Sequence, residues 1–336
     1  MSASLLPRAR LLDVIFGRAP LVGSRLVVDR PRGFVSPVEA QLHLGLTYGD
    51  AELLEAKAIA AGRTGWRVAL RGLLTSWLAA SRRRSPRRRY VVASPIDDLS
   101  IPEARERILE APGSEGRVVH FVHAHALNLA ARDASLRAHL QRAHTVLGDG
   151  VGLQLASRLL GAPLRANVNG TDLLPSLCEQ LAQRGVPLVL IGAAPGVAAR
   201  CARELRRAHP DLQVPLVRDG FLDAASSAAL RGELARVGRC VVLVGMGSPR
   251  QEAWCHQHLA DLANVTVVTV GGLFDFYSGR IPRAPLAWRE LGLEWVWRLR
   301  QEPRRLASRY LLGNPAFLAR ALRQRLAAIL YVGGSG

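Results

Sequence analysis

The sequence predicts an α/β fold in which helices flank a parallel β-sheet. From about residue 90 onward, short apolar runs of strand length alternate with longer helical patterns. Four runs, at 118–122, 188–192, 240–244 and 265–270, are largely apolar, as expected for strands that are buried on both faces. The composition agrees with such a fold, since 49% of the 336 residues are hydrophobic and only 21% are charged. A disordered chain is therefore excluded.

Helical patterns separate these strands. They are predicted at residues 126–143, 171–184, 196–208, 224–237 and 250–262. In parallel sheets, ligands bind at the carboxyl ends of the strands, in the loops that lead into the helices. Functional residues are therefore expected in the loops that follow the predicted strands.

Four of these loops combine glycines with polar or small side chains. Three of them read GAAPG (192–196), GMGSPRQE (245–252) and GGLFDFYSG (271–279). Glycine turns before a helix offer backbone N–H groups to phosphate, although the first turn lacks the GxGxxG spacing of a dinucleotide site. In the fourth loop, Asp149 lies between two glycines, where it could act as a general base or only form a turn.

The formal net charge of +18 is concentrated at the two ends of the chain. Residues 1–89 contain 16 basic and 6 acidic side chains, residues 90–282 contain 19 and 18, and residues 283–336 contain 10 and 3. Basic ends around a nearly neutral core predict an anionic partner, such as nucleic acid, an anionic membrane surface or the phosphate groups of a ligand.

Residue patterns at both ends favour the membrane surface over nucleic acid. A mostly apolar stretch at 68–80 precedes an arginine run at 82–89, and aromatic residues alternate with arginines between residues 288 and 310. Aromatic and aliphatic residues mixed with arginine suit the headgroup layer of a bilayer. The sequence carries no helix-turn-helix, RNA-recognition or zinc-finger signature. The open alternative is a set of helices that pack on their own domain and leave the arginines solvated.

Cysteine content and apolar runs indicate the compartment. The four cysteines form no CxxC pair, so neither a disulfide scaffold nor a structural zinc site is expected. No run reaches the roughly 18–20 apolar residues of a transmembrane helix, and arginines interrupt the first apolar stretch, unlike in a signal peptide. The sequence therefore predicts a cytoplasmic protein.

The loop motifs together resemble the WecG/TagA/CpsF family of bacterial glycosyltransferases over about residues 90–310. The resemblance rests on LGDGVGLQLASRLLG (147–161), NGTDLLPSLCEQLAQRGVPLVLIGAAPGVA (169–198), GMGSPRQEAW (245–254), VGGLFDFYSGRIPRAP (270–285) and GLEWVWRLRQEPRRL (292–306). It implies a Rossmann-like glycosyltransferase core at 90–285 and a basic, aromatic, helical appendage at 286–336 that contacts the membrane and a lipid diphosphate. Residues 1–89 form a separate basic extension, part of which (20–48) resembles the tail of polyprenyl-phosphate sugar transferases.

This resemblance implies the reaction and its substrates. A ManNAc-like sugar, or another hexose derivative, would move from a UDP-sugar to a sugar on undecaprenyl diphosphate, with inversion of the anomeric carbon. The protein would be peripheral on the anionic inner face of the cytoplasmic membrane. Nucleic acid is not an expected partner, and a homo-oligomer stays open. The sequence contains no DxD motif, so neither a metal nor another cofactor is expected if arginines stabilise the leaving diphosphate.

The resemblance also assigns roles to individual residues. Asp149 matches the catalytic base, and Gln251 matches a second polar group that orients the acceptor or the donor phosphate. The nucleotide-sugar is expected to contact His123, Gly192, Ala193, Phe221, Gly271, Gly272 and Asp275. The acceptor and its diphosphate are expected to contact Thr171, Asp172, Arg283, Arg298, Arg305 and Arg309.

Several positions depart from the family pattern. His123 stands where asparagine is usual, Asn167 where arginine is frequent, and Ser308 where another appendage arginine often occurs. These changes affect the expected donor sugar more than the reaction type. They leave a catalytically degenerate scaffold as the alternative, which the retention of Asp149 and Gln251 disfavours. A nucleotide-dependent oxidoreductase is disfavoured because the GxGxxG turn is absent.

Overall fold

The computed structural model describes residues 8–26, 30–39, 41, 51–78 and 87–333. An antiparallel hairpin is followed by a central sheet of six parallel strands. The hairpin consists of β1 (Arg87–Val91) and β2 (Ser94–Asp98), and the sheet of β3 (Arg117–Val122), β4 (Thr145–Gly148), β5 (Leu188–Gly192), β6 (Leu216–Arg218), β7 (Cys240–Gly245) and β8 (Val265–Thr269). The strand order across the sheet is β4-β3-β8-β7-β5-β6. The predicted parallel sheet is confirmed.

Helices precede, flank and follow the sheet. The N-terminal helices are α1 (Leu11–Ile15), α2 (Ala51–Ala60) and α3 (Trp66–Leu78). The helices between and beside the strands are α4 (Ile101–Leu109), α5 (Ala124–Ala130), α6 (Ala134–Arg142), α7 (Val151–Leu159), α8 (Gly170–Gln183), α9 (Val197–Ala208), α10 (Ala224–Val237), α11 (Arg250–His258) and α12 (Leu273–Tyr277). The C-terminal helices are α13 (Leu286–Glu290), α14 (Glu294–Gln301), α15 (Pro303–Ala307), a π-helical turn (Ser308–Leu312) and α16 (Gly313–Gly333).

The structure divides one predicted helix and adds strands to the four predicted runs: β1 and β2 of the hairpin, and β4 and β6 of the sheet. The pattern at 126–143 predicted a single helix, which was wrong, because α5 and α6 are separate helices. The carboxylate of Asp133 accepts hydrogen bonds from the N–H groups of Ser135 (2.9 Å) and Leu136 (3.1 Å), so it caps a new helix there. Strand β6 has only three residues, too few to give a recognisable run in the sequence.

The core lies on both faces of the sheet. Along β7, Val241 and Leu243 face the layer that contains α8 and α9, whereas Val242 and Val244 face α10 and α11. Each of these four side chains is at most 3% exposed. Burial on both faces explains why these strands are continuous apolar runs in the sequence rather than alternating ones.

Three histidines meet between β3, α6 and α11. His120 is fully buried, with Nδ1 3.0 Å from Thr269 Oγ1 and Nε2 3.3 Å from His256 Nε2. The ring of His139 stacks on that of His256, with 4.7 Å between their centroids. Burial lowers the pKa of His120 to about 3 and that of His256 to about 4. These imidazoles are therefore neutral at pH 7.

Acidification is expected to destabilise the fold through these histidines. An unfolded histidine has a pKa of about 6.5, and the folded value for His120 is lower. Its contribution to the free energy of unfolding is therefore complete above this unfolded pKa and decreases by about 2 kcal/mol by pH 5. Urea unfolding of the wild type and of His120→Gln at pH 8 and pH 5 measures this loss. The wild type should lose more stability than the variant, and equal losses would contradict the assignment.

The N-terminal elements surround a buried carboxylate. Glu55 of α2 is fully buried and accepts hydrogen bonds from Ser24 Oγ (2.6 Å), Ser36 Oγ (2.6 Å) and the N–H of Leu26 (3.0 Å). Buried polar groups are nearly always hydrogen-bonded. The Glu55 carboxylate therefore ties α2 to the chain segments that precede it.

Some of the sequence predictions concern residues outside the ranges that the structure describes. Residues 82–86 of the arginine run lie outside the described residues, as do 27–29, 40 and 42–48 of the segment at 20–48. Within the part of the chain that the structure describes, no helix has both the length and the apolar composition needed to cross a membrane.

Candidate active site

Asp149 lies at the carboxyl edge of the sheet, directly after β4. Its N–H donates to the carbonyl oxygen of Val122 at the end of β3 (2.8 Å). The next residue, Gly150, has a φ of 97° and donates its N–H to Asn167 Oδ1 (2.6 Å). Residues with a Cβ rarely adopt this φ. The glycine turn and these backbone contacts therefore fix Asp149 in the loop before α7.

The surroundings of Asp149 favour its protonated form. Burial raises the pKa of Asp149 most, and the nearby carboxylates of Glu294 and Asp172 raise it further. The positive charges of Arg298 and Arg283 lower the pKa. The net effect of these groups is to raise the pKa of Asp149 to about 7. A carboxyl group with this pKa can exchange a proton near neutral pH, as a general base requires.

Asp172 fixes two arginines at the first turn of α8. The helix is capped by Asn169, whose Oδ1 accepts a hydrogen bond from the N–H of Thr171 (2.8 Å). The Asp172 carboxylate accepts hydrogen bonds from Arg283 and from Arg289 Nη1 (3.3 Å). Burial raises the pKa of Asp172, and the arginines oppose this shift. The structure thus brings together Thr171, Asp172 and Arg283, which were predicted to contact the acceptor.

Two arginines of the C-terminal helices reach the same edge of the sheet. Arg298 of α14 lies over the ring of Phe276, 4.9 Å from its centroid, and beside the turn at Gly272. Arg309, in the π-helical turn, contacts Nε2 of His123. Burial lowers the pKa of Arg309, and it lowers that of His123 far enough to keep the imidazole neutral at pH 7. The Arg309 guanidinium therefore faces a neutral ring.

Several buried donors at this edge have no acceptor among the described residues. The Nε–H groups of Arg289, Arg298 and Arg309 are buried and donate to no atom of the described residues. Buried donors are nearly always paired with protein, water or ligand. This arrangement favours an anion with several oxygens, such as a diphosphate. Arg305 is exposed and pairs with Glu302, whose Oε2 also lies 4.0 Å from Nη2 of Arg298, so it lies at the exposed border of this group.

Gln251 connects two of the glycine loops. It lies in the first turn of α11 and is 2% exposed. Its Oε1 accepts hydrogen bonds from the N–H groups of Gly247 (3.2 Å) and Gly271 (3.1 Å), and its Nε2 donates to Glu252 Oε1 (2.9 Å). The side chain therefore holds together the loops that follow β7 and β8. A direct contact between Gln251 and a substrate stays a prediction.

The loops after β5 and β7 meet through backbone atoms. A Cβ on Gly192 would lie 2.4 Å from the carbonyl oxygen of Gly245, so only glycine fits there. Ala193 donates its N–H to Gly245 (2.7 Å) and accepts a hydrogen bond from the N–H of Gly220 (2.9 Å). Phe221 follows directly and is 69% exposed. Three residues predicted to bind the nucleotide, Gly192, Ala193 and Phe221, therefore lie together.

The remaining predicted nucleotide residues follow β8. Gly271 and Gly272 form the turn, and Asp275 in α12 pairs with Arg280 (3.1 Å). A Cβ on Gly272 would lie 3.5 Å from Nη2 of Arg298. Because β5, β7 and β8 are neighbours in the sheet, both groups of residues lie along one edge.

Sequence comparison adds an independent observation. Residues 89–329 match the sequence model of the glycosyl transferase WecG/TagA/CpsF family. The chain belongs to this family. Over 199 residues it is 30% identical to the N-acetylglucosaminyldiphosphoundecaprenol N-acetyl-beta-D-mannosaminyltransferase of Bacillus spizizenii, and this match covers 59% of the chain and 76% of the relative. The protein is a glycosyltransferase, which confirms the predicted family and enzyme class.

Sequence analysis missed several polar residues in this glycosyltransferase. Arg289 and Glu294 act on Asp172 and Asp149 through charge, and the Tyr277 hydroxyl donates to the carbonyl of Thr171 (2.7 Å). These contacts depend on how α12, α13 and α14 lie against α8 and the Asp149 loop, which a local pattern does not reveal. The available signal was the position of these residues in the sequence: Glu294 lies within the motif at 292–306, and Arg289 lies between that motif and the one at 270–285.

The described residues of this glycosyltransferase contain no recognisable metal site. Among the residues with described coordinates, no three or more His, Cys, Asp or Glu side chains are grouped so that they could hold a metal ion. The four cysteines are buried and free, and burial raises the pKa of Cys178 and Cys201 to about 12. The independence of the reaction from metal stays a prediction.

Proposed function

We propose that this glycosyltransferase transfers a ManNAc-like sugar, or another hexose derivative, from a UDP-sugar to a sugar on undecaprenyl diphosphate, with inversion of the anomeric carbon. The observation that carries the proposal is the Asp149 carboxyl group, whose pKa of about 7 suits proton transfer beside a group of arginines. The Bacillus spizizenii relative is named for a lipid-linked acceptor of this kind and for the transfer of N-acetylmannosamine, which supports these substrates.

Asp149 acts as the general base in the proposed reaction. The acceptor hydroxyl gives its proton to the Asp149 carboxylate while its oxygen forms a bond to the anomeric carbon of the donor. The bond between that carbon and the UDP oxygen breaks, and UDP leaves with the bonding electrons. Attack from the side opposite to UDP inverts the anomeric carbon. One base and one group of cations are sufficient for this single displacement.

The arginine group binds the diphosphates of the lipid acceptor and of UDP. Arg283, Arg298 and Arg309 bind the lipid diphosphate of the acceptor through charge-assisted hydrogen bonds, and Arg305 joins them from the exposed side. Arg298, beside the Gly272 turn, also reaches the diphosphate of UDP and stabilises the charge that develops there. No metal or other cofactor is needed in this scheme, because arginine supplies the positive charge.

The glycine loops hold the nucleotide-sugar. The backbone of Gly192, Ala193 and Gly271 lines the UDP, because close approach of a ligand requires small residues. The exposed ring of Phe221 packs against the uracil. Asp275 contacts the nucleotide. His123 and Gly272 contact the donor sugar and the diphosphate of UDP. Thr171 and Asp172 border the acceptor.

The protein is proposed to be peripheral on the inner face of the cytoplasmic membrane. The chain is divided into three parts: the extension (1–89), the core (90–285) and the appendage (286–336). In the appendage, α16 buries Phe317 and Ala321 against α5 and α7. The opposite side of α16 exposes four large apolar residues near arginines, a pattern that suits anionic headgroups. These exposed residues are Leu322, Leu326, Ile329 and Leu330.

Release of UDP from a panel of UDP-sugars tests the proposed reaction. The purified full-length protein is assayed with and without a short-chain acceptor that carries GlcNAc on a lipid diphosphate. At least one donor, with UDP-ManNAc as the first choice, should give UDP release that requires the acceptor. A silent panel with intact UDP binding by calorimetry would contradict catalysis and favour the scaffold alternative. Release that does not depend on the acceptor would indicate hydrolysis instead of transfer.

A further inference from the structure

Helix α3, outside the region that matches the family, presents an apolar stripe bordered by arginine. Its sequence WRVALRGLLTSWL contains no acidic residue. Positions 66, 70, 74 and 77 have the i, i+4, i+8 and i+11 spacing that places residues on one helix face. The side chains at these positions are large, apolar and between 44% and 66% exposed: Trp66, Leu70, Leu74 and Trp77. The guanidinium of Arg67 lies 5.6 Å from the ring centroid of Trp66.

Contacts on the opposite face fix the rotation of α3. Ala69 is 3% exposed and packs with Val22 and Val35. A Cβ on Gly72 would lie 2.3 Å from Val35 Cγ1, so the helix approaches this segment closely. The apolar stripe cannot turn inward without breaking this cluster.

Two further contacts attach α3 to the remainder of the chain. Arg71 pairs with Glu290 of α13, a carboxylate that is 2% exposed and also accepts a hydrogen bond from Gln41 Nε2 (2.9 Å). Near the other end of α3, the guanidinium of Arg158 in α7 lies 4.2 Å from the ring centroid of Trp77. The stripe therefore has a defined orientation relative to α7 and α13.

The C-terminal end of α7 lies between this stripe and the exposed side of α16. Arg325 of α16 donates to the carbonyl oxygen of Leu160 (3.4 Å), two positions after Arg158. Leu322 and Leu326, which flank Arg325 on α16, are 49% and 53% exposed. The exposed apolar residues of α3 and α16 thus border the same end of α7, with arginines between them.

We infer that the apolar stripe of α3 lies in the headgroup layer of an anionic lipid bilayer, as a second membrane contact beside α16. Charge complementarity selects this occupant, since residues 1–89 carry 16 basic and 6 acidic side chains and α3 carries arginine without acid. Tryptophan and arginine around leucine suit the boundary between headgroups and acyl chains. The inference rests on the geometry of α3 and is independent of the sugar-transfer reaction.

Flotation of the full-length protein with vesicles tests this contact. The vesicles contain phosphatidylcholine alone or equal parts of phosphatidylcholine and phosphatidylglycerol. The double variant Leu70→Glu/Leu74→Glu should partition onto the anionic vesicles about tenfold more weakly than the wild type, because it removes apolar contact and adds repelling charge. The matched control Ala225→Glu/Ala229→Glu adds the same charges at the same spacing to exposed positions of α10. This control should bind like the wild type.

A milder variant and an activity assay complete the test. Trp66→Ser changes the most exposed residue of the stripe and should weaken partition by about threefold, with the fold monitored by circular dichroism. Unchanged binding of the α3 variants, an equal loss in the control, or equal wild-type binding to uncharged vesicles would overturn the inference. UDP release with the short-chain acceptor in the absence of vesicles should match the wild type in these variants, so a failure of the transfer reaction is detected separately.

Discussion

Replacement of Asp149 by asparagine is expected to lower kcat by about 10³-fold, because the amide cannot accept the proton of the acceptor hydroxyl. The backbone hydrogen bonds of this loop, to Val122 and to Asn167, do not involve the carboxyl group, so the fold should be retained. The site disfavours the ionised carboxyl group, as the raised pKa shows. The Tm of the variant at pH 8 should therefore be no lower than that of the wild type. UDP release at saturating substrates and calorimetry measure the two quantities.

The pH dependence of the enzymatic rate is a second test of Asp149 as the general base. With a pKa of about 7 for Asp149 in the free protein, the wild-type kcat/KM should rise between pH 6 and pH 8 and then level, since only the carboxylate accepts a proton. Asp211→Asn is the matched control, because Asp211 is exposed in the segment before β6, at the opposite edge of the sheet. An Asp149→Asn variant with kcat near the wild-type value, or a wild-type profile that is flat over this range, would contradict the assignment of the base.

Removal of the Arg309 guanidinium should have the second largest effect. We expect Arg309→Ala to lower kcat/KM for the lipid-linked acceptor by about 10²-fold, since the variant loses a buried cationic donor whose Nε–H has no acceptor among the described residues. Arg309→Lys should recover only part of this loss, because an ammonium group cannot reproduce the planar set of donors. The pH midpoint of kcat/KM should also move upward in Arg309→Ala, because Arg309 and Asp149 interact through charge.

The control for this effect is a neighbouring arginine that lies outside the site. Arg304 is exposed on α15, and Arg304→Ala should leave kcat/KM with the short-chain acceptor close to the wild-type value. Similar losses in Arg304→Ala and Arg309→Ala would show that net positive charge matters and not the position of the guanidinium. That result would contradict the diphosphate contact.

The fold of the central sheet could be predicted because its strands have a strong local signal. Burial on both faces makes β5, β7 and β8 nearly continuous apolar runs, and these strands were predicted within one residue of their observed bounds. Strand β6 was missed since three residues carry too little pattern. The helix at 126–143 was predicted without its interruption, because the local capping contact of Asp133 competes with an otherwise helical pattern.

The candidate site was predictable where a residue lies in a glycine loop at the end of a strand. Asp149 and the turns at 192 and 271 are of this kind. Glu294, which raises the pKa of Asp149, and Arg289, which bonds to Asp172, could not be predicted in the same way. Glu294 and Arg289 come from the C-terminal helices, and only tertiary packing brings them to α8. Sequence pattern likewise gave no indication that Gln251 bonds to the backbone of two loops.

Identification of both products of one reaction is the decisive test of the proposed inverting sugar transfer. The purified protein is incubated with the UDP-sugar that it accepts and with the short-chain lipid-diphosphate acceptor, and the nucleotide and the lipid are analysed by mass spectrometry and NMR. The account predicts UDP and a lipid that is longer by one sugar residue, with an anomeric configuration opposite to that of the donor. Both products should be lost in Asp149→Asn. UMP as the released nucleotide, a retained configuration, or UDP without a longer lipid would contradict the account.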